Sequence, residues 1–123
     1  MKYNGTIIEE SLSDISVLDD LKIIGTTVEK VEESHQTPWL KQWTLHTIEV
    51  PENTASAYAE KLSHCLEEEH NSSWYIDFKN DQFHYIIFPN KVFKVNRNNK
   101  EEYDLVKKFG GSLGIPDHQL DFV

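Results

Sequence analysis

Residues 74–88 alternate so regularly that they leave the chain little choice of fold class. Trp74, Ile76 and Phe78 hold one parity and Tyr75, Asp77 and Lys79 the other; after Asn80-Asp81, the run Phe83, Tyr85 and Ile87 alternates with His84 and Ile86. A period of two belongs to a β-strand, whose successive side chains point to opposite faces. Two such runs around a polar pair form a hairpin. With a two-residue turn, Phe78 pairs with Phe83, the apolar sets share one face, and Asp77 stands directly opposite His84 on the other. A hairpin with one apolar face must bury it, which requires further strands and a covering helix.

The rest of the chain supplies both. Residues 2–9, 22–33 and 40–50 are rich in Ile, Val and Thr and predict three strands, with Gly25 marking a bend or bulge in the second and Pro51 ending the third. Between the first two strands, Ser13 can cap a short turn of helix carrying Ile15, Leu18 and Leu21, and residues 34–38 form a turn. After Pro51, Asn53 caps a helix on which Ala55, Tyr58, Ala59, Leu62 and Leu66 recur at three- and four-residue spacing. The acidic run Glu67, Glu68 and Glu69 opposes the helix dipole and frays its last turn.

Beyond the hairpin, residues 91–96 form a third strand of a meander. A three-residue loop keeps Phe93 and Val95 on the core face, and is preferred to a two-residue loop that would place Val92 there. Asn98-Asn99 then opens a helix over residues 100–109, with Tyr103, Val106 and Phe109 inward and Gly110-Gly111 as its stop. Ile115, Leu120 and Phe122 in the tail are expected to cover an edge or helix end. The whole, residues 1–123, predicts a single α+β domain of two layers, with helices packed on a largely antiparallel sheet that ends in a three-stranded meander. No glycine-rich turn follows a strand, which disfavours a dinucleotide-binding parallel sheet.

Charge narrows the function classes. The net charge is −9, and residues 1–70 carry all of it, with 14 acids against 5 bases, while residues 71–123 carry 7 of each. Nucleic acid is an unsuitable partner, because phosphate binding needs clustered Lys and Arg. Lys91, Lys94, Arg97 and Lys100 form the one local basic stretch, read first as the solvated edge of a sheet and second as an anion site. No apolar run is long enough for a membrane span, and the first residues lack the pattern of a secretory signal. Cys65 is the single cysteine, so no intrachain disulfide forms. A cytoplasmic location is expected.

Asp77 and His84 are the sharpest catalytic candidates, since a carboxylate beside an imidazole orients it and raises its basicity. The plainer reading is an ordinary cross-strand pair. No nucleophile motif accompanies them, and Cys65 sits among Leu62 and Leu66 as a small hydrophobe. His35, His46, His64, His70, His84 and His118 show no metal-ligand spacing, so neither a metal nor a cofactor is expected. Trp39 and Trp43 form either core or an exposed aromatic platform. If Tyr75, Asp77, His84 and His46 share an open sheet face beside Trp43, that face composes a polar pocket for a small ligand.

The segments WYIDFKNDQFHYIIFPNKVFKVNR, beginning at Trp74, and SLGIPDHQLDF, beginning at Ser112, resemble a group of short bacterial proteins of unassigned function. The resemblance covers mainly residues 74–122 and touches HTIEVPENTASAYAEKL from His46. It implies a bacterial cytosolic setting and contributes no catalytic residue.

Two functional expectations follow. The first is a non-enzymatic binding or protein-interaction domain, whose acidic half docks a basic partner or whose copies associate as a homodimer through the Lys91–Lys100 stretch. The second is a small hydrolase-like enzyme with His84 as base, Asp77 as its orienting partner, and Tyr75 or Lys79 near the substrate.

Overall fold

The computed structural model describes residues 2–30, 41–66, 74–115 and Leu120. The turn at 34–38, Trp39, the acidic run after Leu66, Phe122, and the histidines at 35, 70 and 118 lie outside the described residues. Six strands form one antiparallel sheet: β1 (Tyr3–Ile8), β2 (Lys22–Lys30), β3 (Gln42–Val50), β4 (Ile76–Lys79), β5 (Phe83–Phe88) and β6 (Lys91–Asn96), in the order β2-β3-β1-β4-β5-β6. Helix α1 (Ala55–Ser63) and helix α2 (Lys100–Ser112) complete an α+β architecture. Among the described residues, no helix is long and apolar enough to cross a membrane.

Register divides the sheet into two faces. Tyr3 pairs with Val50, Gly5 with both Ile48 and Phe78, Ile76 with Ile87, and Phe78 with Tyr85, so these side chains share one face. They form a core with Ala55, Ala59 and Leu62 of α1 and with Val17 and Leu18 of a 3₁₀ turn over Ile15–Asp20. Tyr3, Phe78 and Tyr85 meet there with ring centroids 5.2 to 5.6 Å apart. On the opposite face Ile86, Phe88 and Val95 form a second core with Val106 of α2, Ile115 and Leu120. Phe88, Phe93 and Phe109 make the corresponding aromatic trio, at 5.1 to 5.9 Å. The two helices therefore lie on opposite faces, because the C-terminal strands are apolar on both.

Several local expectations need correction. Phe78 pairs with Tyr85 and Lys79 with His84, a register two residues from that of a turn at Asn80-Asp81. The Asn80 N–H donates to the Phe83 carbonyl at 3.0 Å and its side chain accepts from the backbone N–H groups of Gln82 and Phe83, both at 2.8 Å, so the turn moves one residue along to Asp81-Gln82 while the faces are preserved. Pro89-Asn90 is a two-residue turn, with Asn90 at φ 59°, so Val92 pairs with Ile87 on the α1 face and Phe93 and Val95 pack under α2. Asp14, not Ser13, caps the 3₁₀ turn over Ile15–Asp20, and Asn53 lies within another over Glu52–Thr54 that precedes α1. Asn99 caps α2 as expected, but the helix runs through Gly110 and Gly111 to Ser112, and the left-handed residue is Gly114 at φ +88°.

Candidate functional site

The Asp77–His84 pair forms, on the diagonal between neighbouring strands. His84 Nε2 lies 2.6 Å from Asp77 Oδ2, and His84 Nδ1 lies 3.0 Å from the Tyr103 hydroxyl of α2. Arg97 in turn hydrogen-bonds Tyr103 and donates to the Asn80 carbonyl at 2.6 Å. The guanidinium donates to the phenol oxygen, and the contacts run on through the imidazole to the carboxylate, so the chain begins on a cation and ends on an acidic group. Burial raises the Tyr103 phenol above its ordinary value despite the nearby Arg97.

This face is covered, not open, over β5 and β6. His84 is 1% exposed beneath α2, and the Asp77 carboxyl, 37% exposed, marks the border with the uncovered part of the sheet, where Asn4, Thr6 and Thr47 reach solvent. The inward stripe of α2, Tyr103, Val106 and Phe109, is what covers it. With both ring nitrogens engaged by protein groups, the imidazole joins β4, β5 and α2. Tyr75 packs beside Phe88 at 5.8 Å and belongs to the second core.

His46 lies elsewhere. It pairs with Ile7, two residues from the Gly5 that pairs with Phe78, and so occupies the face opposite Asp77. There Nδ1 is 2.9 Å from the Thr26 hydroxyl and Nε2 is 3.1 Å from Glu9 Oε1. The adjacent Glu10 accepts from the Thr44 backbone N–H at 2.6 Å and from its hydroxyl at 2.8 Å. The last β1–β3 pair is Ile8 with Leu45, so the Glu10 carboxylate replaces the strand that has ended. Trp43 is half-buried and meets Trp74 edge to face at 5.6 Å. Tyr75, His46 and Trp43 therefore do not converge with Asp77 and His84 on one pocket.

Tyr103, Arg97, Glu9 and Thr26 are the partners that sequence reasoning missed. Tyr103 carried a signal, since a buried phenol needs a hydrogen-bond partner. Glu9 and Thr26 carried none, because their meeting with His46 depends on strand order.

Among the described residues no group of three His, Cys, Asp or Glu side chains could hold a metal ion. Cys65 is half-buried beside the core, and burial pushes its thiol up, which lowers its reactivity at neutral pH.

The remaining feature is the outer strand. All nine residues of β2 are exposed, and Ile23, Ile24 and Val28 are 39%, 52% and 56% exposed. From Ile23 to Val28 no charge and no proline interrupts it. The other edge, β6, is shorter and carries Lys91 and Lys94, whose ammonium groups lie over the rings of Phe93 at 5.3 Å and Phe83 at 4.4 Å. Lysines of this kind protect an edge from pairing with another chain. Among the described residues β2 is paired on its β3 side alone.

Comparison of the chain with protein-family models, with curated proteins and with solved structures returns no match.

Proposed function

We propose that the protein is a non-enzymatic binding domain that engages a protein partner along the outer edge of β2. The observation that carries this reading is the contrast between the two sheet edges: β6 is guarded by lysines, and β2 presents six uncharged residues with three exposed aliphatic side chains. An extended segment added to such an edge gains main-chain hydrogen bonds, and side chains two residues apart settle beside Ile23 and Val28. The single thiol and acidic charge suit a reducing, cytosolic setting.

The acid–base reading keeps one observation in its favour, the 2.6 Å contact of Asp77 with His84. The engagement of Nδ1 by Tyr103 weighs against it, since it leaves the imidazole without a nitrogen for substrate.

Selection of a phage-displayed random peptide library on the immobilised protein, with Val28→Lys as counter-target, tests the interaction reading. Enrichment of extended, β-branched peptides that Val28→Lys no longer binds is expected. No enrichment, in a protein that also fails to self-associate, overturns it.

A further inference from the structure

We infer that the partner seated on β2 is a second copy of this chain, paired β2 to β2 about a two-fold axis perpendicular to the sheet. The inference rests on the interaction reading above and names its occupant. Two antiparallel strands related by such an axis keep their faces, so a residue can stand opposite only a residue that points to the same face.

In a regular strand, residues an odd number apart point to opposite faces. The bulge in β2, where the register shifts between Ile23 and Gly25, alters this. Ile23 pairs with Ile48 and Val28 with Thr44, so both point to the α1 face; Lys22 pairs with Glu49 and Glu29 with Trp43, so both point to the α2 face. Residues five and seven apart thus share faces.

That parity selects one register. With Ile23 opposite Val28 of the second copy, Lys22 stands opposite Glu29 of the second copy, and symmetry repeats both pairs. The interface then holds two aliphatic pairs and two opposite-charge pairs, each on matching faces. Between these pairs Thr26 faces Thr26 of the second copy and Gly25 faces its Thr27, again on matching faces, with Ile24 of each copy as the unpaired bulge residue. Sliding by two residues sets Ile23 against Thr26 or Lys30 and removes the complementarity.

Pairing also covers three of the five large hydrophobic side chains exposed among the described residues. It joins two six-stranded sheets into one whose outer strands are both β6, with their lysines, so assembly closes at the dimer. One strand pair is a small interface, and the dissociation constant is expected to be roughly micromolar.

Sedimentation equilibrium of the full chain from about 1 µM to 1 mM, below and above the dissociation constant expected for an interface of this size, tests the inference. A reversible monomer–dimer equilibrium is expected. Val28→Lys should raise the dissociation constant about tenfold or more. Lys22→Glu and Glu29→Lys should each weaken the dimer, and the double variant should restore it. Lys2 holds Glu49 at 2.8 Å independently of Lys22, at 3.2 Å, so the charge reversal leaves that carboxylate a partner within its own chain. A thermal melt of each variant confirms that it folds.

A monomer at every concentration, a dimer indifferent to Val28→Lys, or charge reversals without mutual rescue each overturns the second-copy inference. If the monomer still selects edge-binding peptides that Val28→Lys abolishes, the inference alone fails and the interaction reading stands. Failure of both experiments removes both.

Discussion

His84 Nε2 meets Asp77 Oδ2 at 2.6 Å although Asp77 is paired with Ile86 and His84 with Lys79. The contact is diagonal, within reach of two polar side chains on one face. It brings a carboxylate at the edge of solvent to an imidazole in the core, and Tyr103 extends the link to α2. The arrangement reads as a polar staple between sheet and helix, and its stability is measurable.

Tyr103→Phe keeps the ring and deletes the hydroxyl, leaving His84 Nδ1 buried without this partner. The expected loss is about 1–3 kcal/mol in urea unfolding. A cycle with Asp77→Asn should give a coupling energy above about 0.5 kcal/mol, because the two groups flank one imidazole. Additive losses would show that the links act independently.

Gly5 is a site where a side chain has no room. A Cβ there would lie 2.1 Å from the Asp77 carbonyl oxygen and 2.8 Å from Phe78 Cβ, both on the rigid neighbouring strand. Gly5→Ala should therefore destabilise by about 3 kcal/mol or more, or prevent folding. Gly25, where an added Cβ meets nothing within 4 Å, is the control: Gly25→Ala should change stability by less than about 1 kcal/mol. Equal effects at the two positions would contradict the close approach of β1 and β4.

Stability should fall in alkali. Burial is the first cause raising the pKa of Tyr3, Tyr103 and Cys65, so each holds its proton more tightly folded than unfolded. Their contribution is whole below the unfolded values, about 8.5 for Cys and 10 for Tyr. It is lost as pH rises through the higher folded values. Urea midpoints from pH 7 to 11 should hold to about pH 8.5 and then decline. Tyr103→Phe should decline less steeply, and an identical slope would assign the loss to other groups.

Glu10 is expected to hold β3 where β1 has ended. Its carboxylate takes both the backbone N–H and the hydroxyl of Thr44. Removing it in Glu10→Ala should raise the hydrogen-exchange rate of the Thr44 amide by about tenfold. Residues of β5, distant in the sheet order, should change little. A Thr44 amide that exchanges as before would mean another acceptor takes over.

The alternation of Trp74, Ile76 and Phe78 made β4 legible, and the spacing of Ala55, Ala59 and Leu62 made α1 legible, because burial on one face imposes a period that survives in the chain. The Asp77–His84 contact was legible for the same reason, since a register shift of two residues leaves the faces unchanged. The position of the Asn80 turn was not, because it hangs on a side chain choosing its own backbone as partner. Nor was the end of α2, where Gly110 and Gly111 continue the helix and Gly114 turns it.

Composition and period thus determined that this chain builds an antiparallel sheet with amphipathic helices, for these depend on residues close in sequence. Tertiary structure alone decided which face each helix covers, that α2 closes over His84, and that Glu9 and Thr26 meet at His46. It also placed β2, uncharged from Ile23 to Val28, at one edge of the sheet and β6, with Lys94 in mid-strand, at the other. Strand order joins residues far apart in the chain, and no local propensity records which strand will lie outermost.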